Sequence, residues 1–208
     1  MDNKEAEMKK ILIIFAALVF ALVSCGEKEK TMKKEEVMSF AELAKKRYSV
    51  RSYAPKPVEQ DKIEAILEAG NMAPTAKNLQ PQRIYVLKSK ESLEKLSALT
   101  PMGFNAPVVL MIAYNEDEEW KNPLQEGIHS GIEDASIVAS HIMFRATELG
   151  LGSRWVNYFA NDELKKAFAL PENEKIVLLM PIGYPAENSQ PSSRHSEKKP
   201  LSETVKYL

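Results

Sequence analysis

Arg47, Ser49 and Arg51 alternate along RYSVRSY. In an extended chain that spacing points two guanidinium forks and a hydroxyl to one side. Such donors suit a phosphate. The same letters also suit a solvated helix end, with Arg47 beside the last carbonyls. A second polar group lies in APTAKNLQPQR, residues 73–83. Asn78 and Gln80 both donate and accept, and Pro81 predicts an extended Gln80. That pair fits the edge of a heteroaromatic ring, or ordinary turn chemistry in which Asn78 bonds its own backbone. Arg194, Lys198 and Lys199 in SRHSEKKPL form a third group, by composition only a basic tail segment.

Other chemistries lack their signatures. There is no G-x-G-x-x-G, no P-loop and no G-x-S-x-G, and Gly150-Leu151-Gly152 follows a helical pattern without a third glycine. His129, His141 and His195 fall in no close ligand spacing, so no metal site is expected. With 28 basic and 29 acidic side chains the formal charge is −1, which offers no field for nucleic acid. The 208 residues, 44% apolar, suit one globular domain.

The elements that must carry these groups alternate in type. Helices are expected over 37–46, with Val37, Phe40, Ala41 and Ala44 on one face, and over 59–72, with Ile63, Ile66, Leu67 and Gly70 inward. QRIYVLK, residues 82–88, reads as a strand, and Ser89 caps a helix to about Leu99. PVVLMIAY, residues 107–114, and KIVLLMPIG, residues 175–183, are continuous apolar runs, hence buried strands. The strongest periodicity runs from Ile128 through Ile132, Ala135, Ala139, Ile142 and Ala146 to Leu149, a long helix closed by Gly150. A short strand is expected over 153–157, and Asn161 is expected to cap a further helix. This pattern predicts an α+β or α/β sandwich.

The N-terminus reads differently. Lys9 and Lys10 precede an uncharged apolar run from Ile11 to Val23, and Ser24 stands before Cys25. That is signal-peptide anatomy, and LVSC resembles a bacterial lipobox. Residues 1–24 are therefore expected to be removed, with Cys25 carrying lipid at the new terminus. Residues 25–36 read as a charged tether, and 37–208 as the folded domain. The expected location is a membrane surface on the periplasmic or outer side. The single cysteine excludes an internal disulfide.

Taken in order, RYSVRSY, APTAKNLQPQR, GLGSRWVNYF, KIVLLMPIGYPAE and KKPLSETV resemble the nitroreductase family of flavoproteins from about Phe40 to the end. The resemblance implies an α+β sandwich with a mostly antiparallel central sheet flanked by helices. It also implies a homodimer holding FMN where the two chains meet. By the same resemblance Arg47, Tyr48, Ser49 and Arg51 contact phosphate, ribityl or flavin edge, with Tyr48 acting through its backbone. Pro74, Thr75, Asn78 and Gln80 lie against the isoalloxazine of the partner. Trp155, Val156 and Asn157 line the ring, with backbone N–H groups near N5. Lys198, with Arg194 as a second candidate, meets the phosphate. Arg51 or Lys77 stabilises the reduced ring. The implied activity is ping-pong hydride transfer from NAD(P)H to nitroaromatics, quinones or similar electron-poor rings, with no protein acid or base. Alternatives are a membrane-anchored flavin or small-ligand binding module without turnover, or another flavin reaction such as reductive dehalogenation or flavin fragmentation. Gln82, where the family often has Trp, and the bulky Arg154, Tyr158 and Lys77 depart from the pattern and bear on substrate shape.

Overall fold

Two apolar runs set the centre of the fold. The computed structural model describes residues 38–208; the expected signal peptide and tether lie outside them. Strands β1 (Gln82–Leu87), β2 (Val108–Asn115), β3 (Gly152–Ser153) and β4 (Glu174–Gly183) form one sheet in the order β1-β2-β4-β3. Every pair is antiparallel. Gln82 lies opposite Tyr114 and Val108 opposite Ile182, with a bulge between Ile112 and Ala113.

β2 and β4 beyond Lys175 are apolar because both faces are covered. Val108, Leu110, Ile112, Leu178, Met180 and Ile182 face helices α2 (Gln60–Asn71) and α4 (Gly131–Glu148). Val109, Met111, Ala113, Ile176 and Leu179 face the opposite way, toward α3 (Lys90–Leu99) and α5 (Asn161–Ala167). Each fully buried Leu, Ile or Met among them stabilises the fold by about 2 kcal/mol. This is the expected α+β sandwich.

Local signals account for most boundaries. Ser89 accepts from the Ser92 N–H and starts α3. Ser39 and Glu42 form a reciprocal capping box on α1 (Phe40–Lys46). None of α1 is buried, contrary to the expected inward face; Phe40 instead stacks against Phe144 of α4 at 5.2 Å. α4 starts three residues later than expected, because the preceding segment folds back on itself. Asn122 donates to the Ile128 carbonyl and Ser130 to that of Trp120. Ile128 therefore lies exposed, and Ile132, although inside α4, is on its exposed face. Gly150, at φ +76°, ends the helix where an L side chain would be strained. The expected strand over 153–157 shrinks to Gly152–Ser153, with Val156 rejoining β4 only at Leu179. Asn161 is the first helical residue of α5, not its cap, and Ala160 makes no side-chain bond there. A last turn, α6 (Leu201–Thr204), ends the fold. Among the described residues no helix is long and apolar enough to cross a membrane.

Candidate functional site

The Arg47–Arg51 segment is extended, as its alternation requires. Ser49 bridges Ser153 in parallel, and the Val50 N–H donates to the Ser153 carbonyl at 3.1 Å. Val50 is buried, so Ser49 and Arg51 point to the other side. Gly152 permits this approach: a Cβ there would stand 2.4 Å from Val50 Cγ2. Tyr53 pins the segment end by donating to the Pro181 carbonyl at 3.0 Å.

The same contact brings Arg154 to Arg51. Burial, and then the like charge of Arg51, lowers the Arg154 guanidinium below its ordinary value. The Arg154 guanidinium lies 4.4 Å from the Phe104 ring centroid, a cation–π contact that offsets little of the repulsion. Among the described residues, no carboxylate lies within ion-pair distance of Arg47, Arg51, Arg154, Arg194 or Lys198. The basic tail reaches this end of the molecule too. Tyr48 donates to Ser189 Oγ at 3.2 Å and packs edge-on to His195, whose Nε2 lies 3.4 Å from the Lys45 carbonyl. Lys198 Nζ donates to the His195 carbonyl.

Trp155, Val156 and Asn157 continue from Arg154. Val156 is buried, and its N–H donates to the Leu179 carbonyl at 3.0 Å. The N–H groups of Trp155 and Asn157 donate to no group among the described residues. The Asn157 side chain donates to the Val177 carbonyl at 2.7 Å. Ser153 Oγ is buried without a hydrogen-bond partner.

The 73–81 loop is built without glycine, yet Lys77, Asn78 and Gln80 sit at φ +51°, +55° and +52°. The expected extended Gln80 is therefore corrected. Its N–H donates to Thr75 Oγ1 at 3.0 Å, a short closure that turns the backbone to positive φ. Asn78 and Gln80 are exposed, as is Pro74. Ala76 donates to Asp134 Oδ1 at 2.8 Å, which fixes the loop to the first turn of α4.

The loop and the arginine cluster thus occupy opposite ends of α4. Arg47 and Tyr48 border a small cavity with Thr147 and Gly150. From Asp134 to Thr147 the helix rises about 20 Å at 1.5 Å per residue. One chain does not bring Asn78 and Gln80 to its own Arg47. Between the two ends α4 exposes Ile132 and Ile137, and Met72, Leu79 and Ile128 are exposed as well.

A cavity of about 810 Å³ lies at the other end of β1, over Ile63, Leu96 and Val109, and includes none of these groups. Its lysines are already engaged: Lys56 by Glu59, Lys88 by Gln60 and Lys90 by Glu94.

Sequence reading did not single out Ser153 or Asp134 and named Arg154 only as a departure. Asp134 was signalled by an acidic letter inside the apolar face of the strongest helix, four residues after Ser130.

Residues 44–100 and 98–184 match the model of the nitroreductase family. A protein of Methanothermobacter thermautotrophicus, named as an NADH dehydrogenase/NAD(P)H nitroreductase, is 30% identical over 158 residues, 73% of this chain and 80% of its own. A nitroreductase family protein of Clostridium difficile 630 is similar in structure, with a TM-score of 0.77 and 40% identity over 82% of this chain and 98% of that one. An FMN-dependent nitroreductase of Clostridium difficile R20291 has a TM-score of 0.64 and 30% identity over 79% and 96%.

Proposed function

This chain belongs to the nitroreductase family, and from that premise we propose that it is an FMN-dependent oxidoreductase that passes reducing equivalents from NAD(P)H to electron-poor aromatic acceptors. The observation that carries the reading is the charge balance at one end of α4. Arg51 and Arg154 act on each other there, with Arg47 on the same extended segment, and none of the three has a carboxylate partner among the described residues. A cluster held together against its own repulsion fits an anionic ligand. The donor set also fits the rest of FMN: the orphaned Ser153 hydroxyl, the unpaired Trp155 and Asn157 N–H groups and the exposed amides of Asn78 and Gln80 match a polyhydroxyl chain and a flat polar ring.

When bound, FMN supplies two-electron hydride chemistry, accepting from NAD(P)H and giving to the acceptor. The chain's own part is placement and charge. Arg47, Lys198 and Arg194 hold the phosphate. Arg51, with Ser49 beside it, places positive charge against the ring edge, where negative charge accumulates on reduction. Trp155 and Asn157 offer backbone donors to the ring, while Val156 anchors their segment to β4. Tyr48 fastens the segment to the C-terminal tail. Tyr158 is exposed at the rim and narrows the choice of acceptor by its bulk.

We further propose that the site is completed by a second copy. The loop bearing Asn78 and Gln80 lies about 20 Å along α4 from Arg47 of its own chain. Two α4 helices packed antiparallel through Ile132 and Ile137 bring each loop to the other chain's arginines. The proposed location follows the lipobox reading, with Cys25 holding the enzyme at a membrane surface outside the cytoplasm.

The test is the visible spectrum of the chain purified without added flavin, repeated with FMN and then NADH or NADPH in the absence of oxygen. A yellow protein that bleaches with either donor and recovers its colour with a quinone or nitroaromatic supports the proposal. Yellow protein that never bleaches makes it a flavin-binding module, and a colourless protein indifferent to FMN overturns the site assignment.

A further inference from the structure

Asp134 is a carboxylate inside the core, 2% exposed, on the first turn of α4. No step proposed above uses it. Its partners are specific. One oxygen accepts the Ala76 N–H at 2.8 Å and the other accepts the Ser130 hydroxyl at 2.7 Å. A carboxylate is tolerated at such depth only when its lone pairs are met. Here one of them is met by the loop that carries Asn78 and Gln80.

That loop needs an external hold. Lys77, Asn78 and Gln80 all lie at positive φ without being glycine, where Cβ crowds the following carbonyl. Such a backbone persists only when its surroundings over-determine it. The bonds from Asn78 N–H to the Thr75 carbonyl, from Leu79 N–H to the Ala76 carbonyl and from Gln80 N–H to Thr75 Oγ1 are internal. They set the loop's shape, and its ends are held by the bonds of Ala73 to the Gly70 carbonyl and of Asn115 to the Pro81 carbonyl, which leaves the middle of the loop to be placed. Among the described residues, Ala76 N–H is the one backbone group of 74–80 that bonds outside the segment.

We propose that Asp134 is the positioning residue of the ring-binding loop, clamping Ala76 so that the Asn78 and Gln80 amides meet the flavin edge at a fixed height. This rests on the assignment of that loop to FMN. Asp134 touches neither cofactor nor substrate; it acts through Ala76.

The variants separate the clamp from the core. Asp134→Asn keeps an oxygen for the Ala76 N–H, and the Ser130 hydroxyl can turn to accept from the new amide. Asp134→Ala removes the acceptor. Ala76→Pro removes the donor while keeping every core side chain, at the cost of leaving Asp134 Oδ1 without its partner. Thr75 is already extended at φ −129° and ψ 158°, as a residue before proline must be, and Ala76 opens a short turn where proline fits.

FMN affinity of the full chain is measured by flavin fluorescence quenching, with the spectrum of the bound flavin recorded alongside. Asp134→Ala and Ala76→Pro are each expected to raise the dissociation constant about ten- to a hundredfold, the loss of one charge-assisted hydrogen bond. The double variant is no worse than either, the bound-flavin band shifts, and Asp134→Asn stays within about threefold of wild type. Wild-type affinity and spectrum in Ala76→Pro overturn the clamp while leaving the loop assignment standing, even if Asp134→Ala fails to fold. A wild-type chain that binds no FMN overturns the loop assignment, and the proposal with it.

Discussion

Arg51 and Arg154 repel each other, and the Phe104 ring under Arg154 offsets that only in part. The repulsion is a cost of the apo state that an anion removes. Arg51→Ala therefore acts in opposite directions on the two states. The flavin-free protein gains up to about 0.5 kcal/mol from relieved repulsion at a partly solvated pair. The flavin-bound protein loses about tenfold or more in FMN affinity with one charged donor gone. Thermal midpoints measured with and without saturating FMN check both signs at once, and a destabilised apo variant sinks the argument. Tyr85 makes a different charge statement. Its hydroxyl donates to the buried Glu174 carboxylate, which also faces Arg83 at 3.6 Å. Burial first and the carboxylate second push the phenol up to about 12. An unfolded tyrosine loses its proton near pH 10. Between about pH 10 and 12 the folded chain thus holds more protons, so this contribution is complete below pH 10 and lost as pH rises to 12. Tyr85→Phe is expected to flatten part of that alkaline loss, read from urea midpoints against pH; Tyr53, Tyr114 and Lys56, which are also raised, contribute to what remains.

The site is held by a contact between two short extended pieces, 49–51 and 152–154, where Gly152 lets Val50 approach. Gly152→Ala drives a methyl into Val50 and Pro185, and the Val50 shift carries Arg51 with it. The expected result is a loss of about 1–3 kcal/mol in unfolding free energy with weaker FMN binding, whereas Gly150→Ala meets no atoms within 4 Å and costs only the strain of φ +76°, about 1 kcal/mol. Urea denaturation and flavin titration of the pair distinguish crowding from strain. Elements of this kind divide the sequence's legibility. PVVLMIAY and KIVLLMPIG could be read as buried strands because burial on both faces demands unbroken apolarity. The spacing of Ala135, Ala139, Ile142 and Ala146 marked α4 for the same reason. The errors share a cause as well. Ile128 keeps the apolar period, but period does not say where the helix begins, and a bond from Asn122 to the Ile128 carbonyl bends that segment away, while Ile132 keeps the period inside α4 and is still exposed. Phe40 keeps the period of α1 and sits outside, because no core remains beneath it in one chain. In the site, the alternation of Arg47, Ser49 and Arg51 was legible from strand geometry. The positive φ of Gln80 was not, because a bond from Thr75 five residues back decides it. Asp134 stood out as an acid in an apolar face, but its partner was hidden, since Ala76 lies 58 positions away.

At the scale of the whole molecule the chain has two unfinished edges. One follows from the proposed lipobox: if Cys25 carries the anchor, Cys25→Ser is expected to abolish incorporation of a labelled fatty acid, and a wild-type chain that takes up none removes the anchor from the proposal. The other is the division of the proposed site between the ends of α4, with exposed Ile132 and Ile137 between them. A site shared between chains makes a prediction that a site within one chain does not. In an Arg47→Ala dimer both sites lack one phosphate cation; in an Asn78→Ala dimer both lack one ring amide. When the two proteins are unfolded together and refolded in equal amounts, random pairing makes half the dimers mixed. If Arg47 of one chain works with Asn78 of the other, a mixed dimer carries one site with both defects and one with neither. About a quarter of all sites are then intact, and FMN binding and NADH oxidation return to about that fraction of wild type. If Arg47 and Asn78 serve the same flavin within one chain, every site in the mixture carries a defect and nothing is recovered. The recovered fraction therefore measures the topology of the site directly, and an answer of zero from a mixture shown to contain mixed dimers would remove the second copy from it.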